Sequence, residues 1–283
     1  MCGAAAEKPP RRERYIYKCK IDRRRGALYR LVGENVGGLA QSPERLGVWH
    51  MIRVSRRKAL ALSAAAVFIF GGVGAATVET ELTVLDLGVG KRLLFLTDIH
   101  GRLRTQPVLD YDVLLIGGDT YDEWTRDLSP LVESLSRLKG PKVAVLGNHE
   151  YMTKTYTIRE GVRALEEAGV HVLIDDWVYI GGLKIYGLDW RQDPRNYPPV
   201  RDADVVLAHS PDAFQNAETG IYLTGHTHGG QICLPKNRPI ITNSAYGYTW
   251  GLYKKKDAVM YTSRGVGEML PRVHCDRQQL LVT

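Results

Sequence analysis

Short apolar runs, each closed by polar or ionisable residues, punctuate the chain after residue 90. RLLFLT (92–97) leads into Asp98, and VLLI (113–116) into Gly117, Gly118 and Asp119. VAVL (143–146) leads into Gly147, Asn148, His149 and Glu150, and VVLA (205–208) into His209. IYLT (221–224) leads into Gly225, His226, Thr227 and His228. Runs without alternation predict strands buried on both faces, as in a largely parallel sheet. TIREGVRALEEA (157–168) carries apolar residues at 158, 162 and 165, a helical stripe that Gly169 ends, and 129–138 is a second helix candidate. After 171, HVLIDD, WVYIGG and LKIYGLD predict a meander with a hairpin turn at Gly181-Gly182, and AVMYTSRG and QLLVT predict the last strands. Strands interleaved with helices place the chain in the α/β class.

The first part of the chain follows another pattern. Residues 59–78 are twenty positions without a charge, enough to span the hydrocarbon core of a bilayer. Arg53, Arg56, Arg57 and Lys58 stand just before them, so 51–78 read as a signal peptide or signal anchor. Ser55-Arg56-Arg57 followed by Leu60 is twin-arginine-like, and the basic flank orients everything after Val78 to the extracytoplasmic side. Residues 1–50 show no sustained period and are expected to be a doubtful extension before a start at Met51, or a disordered cytoplasmic tail. The body is then 79–283.

Charge changes meaning once it is located. The 283 residues carry a net +7, which on its face suggests nucleic acid. Residues 1–58 hold 15 basic and 5 acidic side chains, however, and the remainder holds 23 basic and 26 acidic. The body is mildly acidic, so a nucleic-acid partner is not favoured. Cys233 and Cys275 read either as one disulfide or as two thiols, with no CxxC spacing.

The chemistry sits where the runs end. In α/β sheets, ligands bind beyond the carboxyl ends of strands, and there stand Asp98, His100, Asp119, Asn148, His149, His209, His226 and His228. Aspartate, asparagine and neutral imidazole suit divalent transition metals. The two-residue spacings Asp98–His100 and His226–His228 are expected to project both side chains to one side of an extended segment. Taken singly, each motif has an ordinary structural reading, such as a capping Asn148 or a core His209; the five together do not.

Asp98-x-His100, Gly118-Asp119-x-x-Asp122, Gly147-Asn148-His149-Glu150, His209 and Gly225-His226-x-His228 resemble the calcineurin-like metallophosphoesterase superfamily, over roughly 82–283. The run Gly225–Gln231 (GHTHGGQ) and the later YTSRGVG are similar to an exported or membrane-anchored subgroup, whose relatives include UDP-2,3-diacylglucosamine diphosphatases. The resemblance implies a four-layer α/β/β/α sandwich and two divalent metal ions (Mn, Zn or Fe). It implies that Asp98, His100 and His228 hold one ion, that Asn148, His209 and His226 hold the other, and that Asp119 bridges them. His149 is then expected over the site as general acid or as a cation, with Glu150 orienting it. Only 18 residues separate His100 from Asp119, so the first helix of such folds is expected to be shortened or lost.

The function expected from this resemblance is two-metal hydrolysis of a phosphate ester or diphosphate by metal-activated water, on the extracytoplasmic side. Alternatives are a lipid-linked diphosphate hydrolase on the cytoplasmic face, anchored through 59–78, and a non-catalytic metal-binding scaffold. Arg264 reads either as a phosphate contact or as a partner for a carboxylate. Tyr246, Tyr248, Trp250 and Tyr253 read as packing or as the lining of a route for an apolar tail.

Overall fold

The computed structural model describes residues 15–22, 27–35, 78–103, 106–107, 109–268 and 270–283. Its strands are β1 (Tyr15–Asp22), β2 (Ala27–Asn35), β3 (Thr80–Leu85), β4 (Leu93–Leu96), β5 (Val113–Ile116), β6 (Lys142–Ala144), β7 (Val170–Val172), β8 (Asp176–Ile180) and β9 (Leu183–Leu188). They continue with β10 (Val205–Ala208), β11 (Thr219–Thr224), β12 (Cys233–Leu234), β13 (Arg238–Pro239), β14 (Gly251–Lys255), β15 (Asp257–Thr262) and β16 (Arg277–Val282). The α-helices are α1 (Ser129–Ser136), α2 (Asn148–Met152) and α3 (Ile158–Glu167).

Two sheets stack face to face. One runs β2-β1-β3-β16-β4-β5-β6-β7 and the other β14-β15-β11-β10-β9-β8, with parallel pairing through β4-β5-β6-β7 and through β9-β10-β11-β15. Alternation assigns the layers. Leu93, Phe95, Val113 and Leu115 point inward and meet Ile185, Val205, Leu207 and Leu223 of the second sheet. Their neighbours Leu94, Leu96, Leu114 and Ile116 point outward and pack under Leu131 and Leu135 of α1 and Leu165 of α3. Every residue of β4, β5, β10 and the end of β11 is buried, which is why these strands read as unbroken apolar runs. The outer face of the second sheet is covered by 3-10 turns at Pro194–Asn196 and Pro211–Asn216, with Phe214 against Tyr222. The layers are therefore those of an α/β sandwich with two multistranded sheets, the fourth layer being 3-10 among the described residues.

Helix α3 starts at a reciprocal cap: Thr157 accepts from the Glu160 amide, and Glu160 accepts from the Thr157 amide at 2.8 Å. Two differences from the sequence reading stand out, and the expected loss of the first helix is met. The stretch 171–188 is not one meander, because β7 pairs with β6 in the first sheet while β8 and β9 form the hairpin of the second. The 101–118 connection holds no helix among its described residues. Within 1–50, β1 and β2 form an antiparallel hairpin, and β1 pairs with β3. Residues 59–77 lie outside the described residues, and no described helix is long and apolar enough to cross a membrane.

Candidate metal centre

Both sheets deliver their parallel strands to one edge, and the side chains there converge. Asp98, His100, Asp119 and His228 bring one ligand atom each to within 4.8 Å of one another, and so do Asp119, His209 and His226. Asp119 belongs to both groups. His100 Nε2 lies 3.2 Å from His228 Nε2, and His209 Nε2 lies 3.1 Å from His226 Nδ1, from the Asn148 Oδ1 and from Asp119 Oδ2. All seven expected ligands are thus in one place, and Asp98, Asp119, Asn148 and His209 are buried there.

The backbone that aims them is unusual. Asp98, His100, Asp119, His226 and His228 all have φ between 49° and 71°. The paired motifs are therefore not extended, as the two-residue spacing suggested. Each of these five candidate ligands sits in the left-handed region, which Asp, Asn and His tolerate better than most residues and which concentrates at functional sites. The approach is close as well: a Cβ on Gly147 would lie 2.2 Å from Asp119 Oδ1, and one on Gly225 2.6 Å from Asp98 Oδ2.

Each ligand imidazole is held through its other nitrogen. His100 Nδ1 lies 3.1 Å from Asp122 Oδ2, His209 Nδ1 2.8 Å from the Gly117 carbonyl, His226 Nε2 2.9 Å from the Asn243 amide, and His228 Nδ1 3.1 Å from the Arg272 guanidinium. Outer partners of this kind fix ring orientation in metal sites. The Asp98 carboxylate accepts from the His226 amide at 3.1 and 3.2 Å, which ties the first motif to the last.

Electrostatics favour the ligating form at Asp119, His226 and His228 but not throughout: burial raises the Asp98 carboxyl, and at His100 burial is overridden by Asp122, Asp119 and Asp98, which raise it. Burial opposes charge on Asp119, but His209, His100 and His149 hold its carboxyl well below the ordinary range. Burial lowers His226 to about 3, helped by His209, and holds His228 well below its ordinary range, helped by Arg272, so both imidazoles are neutral. His209 goes the other way. Burial would lower it, but the adjacent Asp119 overrides that and pushes it up to about 9. An oxygen- and nitrogen-rich donor set, one shared carboxylate and fixed rings fit divalent cations.

Glu150 and His149 depart from their expected relation. The Glu150 carboxylate is buried and accepts from the backbone amides of Asp119 (3.0 Å), Thr120 (2.6 Å) and Gly147 (2.8 Å) and from the Thr120 hydroxyl (2.7 Å). It caps α2 and pins two ligand loops; it does not orient His149. That task falls to Glu123, whose Oε2 is 2.6 Å from His149 Nδ1, leaving His149 Nε2 4.0 Å from Asp119 Oδ2. Sequence reading missed Glu123, although an acid directly after Gly-Asp-x-x-Asp was a signal. Asn243 and Arg272 had no local signal, since they lie 17 and 44 residues from the imidazoles they hold.

Arg264 pairs with a carboxylate, its Nη2 lying 3.2 Å from Glu81, and stacks on Trp250; Tyr248 packs on Phe214 and Tyr253. Cys233 and Cys275 are buried thiols. Beside the second ligand group opens a cavity of about 440 Å³, walled by Asn148, Trp190, Arg191, His226 and Asn243 among others.

Residues 91–230 match the family model described as calcineurin-like phosphoesterase. This stretch is a calcineurin-like phosphoesterase domain. An uncharacterized metallophosphoesterase of Helicobacter pylori is 28% identical over 219 residues, covering 67% of this chain and 58% of the relative. Phosphodiesterase YaeI of Escherichia coli is 29% identical over 185 residues, covering 58% of this chain and 67% of the relative. A Danio rerio protein named transmembrane protein with metallophosphoesterase domain is 28% identical over 259 residues, covering 75% and 58%. The chain thus spans a little over half the length of the Helicobacter and zebrafish relatives. The seven expected ligands, and His149, lie between Asp98 and His228, inside the matched stretch.

Proposed function

We propose that the protein is a metal-dependent hydrolase of phosphate esters or diphosphates. The observation that carries this reading is the pair of Asp/His clusters that share Asp119. Asp98, His100 and His228 would hold one cation, Asn148, His209 and His226 the other, and Asp119 would contact both. When bound, two divalent cations (Mn, Zn or Fe) neutralise phosphoryl charge and lower the pKa of an attacking water.

The chain supplies the rest. His149, held at Nδ1 by Glu123, presents Nε2 toward the centre and there donates a proton to the leaving oxygen or stabilises its charge. Arg191, Trp190 and Asn243 wall the cavity where the substrate's remaining group lies. The His149–Glu123 pair argues against a non-catalytic scaffold, because metal holding does not use it.

The basic flank and the uncharged stretch 59–78 support an export or anchor signal at 51–78, with the catalytic domain extracytoplasmic and the substrate a phosphoester that is lipid-linked or free. The YaeI name makes diesters the first substrates to try. The test is turnover of bis-p-nitrophenyl phosphate and p-nitrophenyl phosphate by the full chain with Mn²⁺, Zn²⁺ or Fe²⁺. Activity that EDTA abolishes and Asp119→Asn removes is expected. Metal-independent activity, or none with any of these ions, refutes the reading.

A further inference from the structure

The hairpin of β12 and β13 wears its apolar side outward. Strand residues alternate faces, so Cys233, 2% exposed, points into the protein while Ile232 and Leu234 point away from it. Ile240 donates its amide to the Ile232 carbonyl at 3.2 Å, which sets the two isoleucines side by side. Gln231 donates through its side chain to the Leu270 carbonyl, which brings Leu270 to the same region. The exposures are 37% for Ile232, 49% for Leu234, 57% for Ile240, 67% for Ile241 and 54% for Leu270. These are five of the eleven large apolar side chains exposed among the described residues, gathered within one short stretch and its neighbour. A hairpin facing water would place polar residues at such positions, and a gathered apolar patch marks a docking surface.

Charge says what docks. Lys236 and Asn237, at φ 68° and 54°, form the tight left-handed turn of the hairpin, and exposed Lys236 and Arg238 flank the patch. No acidic residue occurs between Glu218 and Asp257, although the body as a whole is acidic. Aliphatic side chains flanked by two cations match an anionic bilayer, where the former enter the acyl boundary and the latter meet phosphate headgroups; the carboxylate at the turn, Asp276, is engaged by the Asn237 side-chain amide at 3.2 Å and the Glu79 backbone amide at 3.1 Å. An uncharged partner such as the apolar 59–77 stretch would have no use for the cations.

We infer that the β12–β13 hairpin with Leu270 docks on the surface of an anionic lipid bilayer. Ile241 leads directly into Thr242 and Asn243 of the cavity wall, so docking sets that wall beside the headgroups. The inference does not depend on what the site hydrolyses, because lipid contact is read directly.

The test uses the full chain with Cys2→Ser and Cys19→Ser, carrying an environment-sensitive NBD label at Ile241→Cys. A second chain carries the label at Tyr179→Cys, on β8 and 64% exposed, and the Cys2→Ser, Cys19→Ser chain with no added cysteine measures labelling of the buried Cys233 and Cys275. With vesicles of equal phosphatidylglycerol and phosphatidylcholine, the Ile241 label is expected to shift to the blue and be quenched by doxyl-lipid, while the Tyr179 label is not. At about 1 kcal/mol per cation, Lys236→Gln with Arg238→Gln should weaken that contact about 30-fold. A label at Ile241 that stays in water with these vesicles overturns the inference. So does equal insertion at both positions, or a blue shift that grows with protein concentration without lipid, which would assign the patch to a second copy.

Discussion

Glu150→Gln separates two roles for one carboxylate. In the structure its Oε2 serves the amides of Gly147 and Asp119, and its Oε1 serves the amide and hydroxyl of Thr120. Glutamine keeps the shape but offers one oxygen and one NH₂. In the less costly orientation, the oxygen stays on Gly147 and Asp119 and the NH₂ donates to the Thr120 hydroxyl, which turns to accept. The Thr120 amide is then a buried donor facing a donor, at a cost of about 1–3 kcal/mol. Part of that is returned, because burial and the nearby Asp119 already oppose the charge of Glu150. A net loss of about 2 kcal/mol lowers the melting temperature of a domain of this size by about 4–8 °C.

The assay is a thermal melt of the metal-free chain beside turnover at saturating metal. Stability should fall, metal affinity should weaken because the Asp119 and Asn148 loops are pinned together by this side chain, and turnover at saturation should hold within about fivefold. Glu150→Ala should cost more, since it orphans three amides. A melting temperature unchanged within about 2 °C, together with a loss of turnover above about 100-fold, would refute the reasoning and return Glu150 to the role of orienting His149.

Glu123→Gln should behave in the opposite way, with little change in the melt but kcat lowered about 10- to 100-fold. The loss should be larger for an alkyl phosphate than for a p-nitrophenyl ester, and an equal loss on both would remove His149 from leaving-group protonation. Gly147→Ala should weaken metal binding in a titration, because a Cβ 2.2 Å from Asp119 Oδ1 displaces the shared carboxylate; unchanged affinity would show that the loop yields. The raised pKa of His209 gives a pH signature in the metal-free protein. A raised value contributes stability that is fully present below the unfolded 6.5 and lost as pH rises through about 9. EDTA-treated protein should therefore melt lower at pH 9.5 than at pH 6.5, while metal affinity rises over the same window as the competing proton leaves. A metal affinity flat from pH 6.5 to 9.5 counts against the His209–Asp119 pairing.

What the chain discloses before folding follows from how local each signal is. The strands bearing the site were legible because β4, β5 and β10 are buried on both faces, and burial on both faces leaves only apolar side chains. The ligands were legible because they stand directly after those strands, so strand and ligand are one local unit. The meander failed because His171 belongs to β7 and Trp177 to β8, and nothing in so short an interval says that the chain changes sheets. Asn243 and Arg272 were illegible for the same reason: each acts on an imidazole that only the tertiary fold brings near, whereas Glu123 stands directly after the Gly118-Asp119-x-x-Asp122 motif and was simply missed.

Backbone conformation was the least legible feature, and it explains the rest of the site. Five candidate ligands in the left-handed region carry strain of roughly 1–2 kcal/mol apiece for ordinary side chains, less for Asp and His. Such strain persists only where the surroundings fix it. Here the Asp98 carboxylate receives the His226 amide, the Asp119 Oδ1 receives the His149 amide, and the Glu150 carboxylate receives the amides of Asp119, Thr120 and Gly147. The loops are therefore bound to one another through carboxylates as well as through backbone bonds, such as those from the Asp98 amide to the Gly118 carbonyl and from the His100 amide to the Asp119 carbonyl, each 3.0 Å. The two Asp carboxylates serve as backbone acceptors and as candidate ligands at once, so a substitution that removes either one unfastens a loop while it empties a coordination position. Metal affinity and local order should fall together at Asp98 and Asp119, whereas at His100 the ring can be lost with its loop left in place.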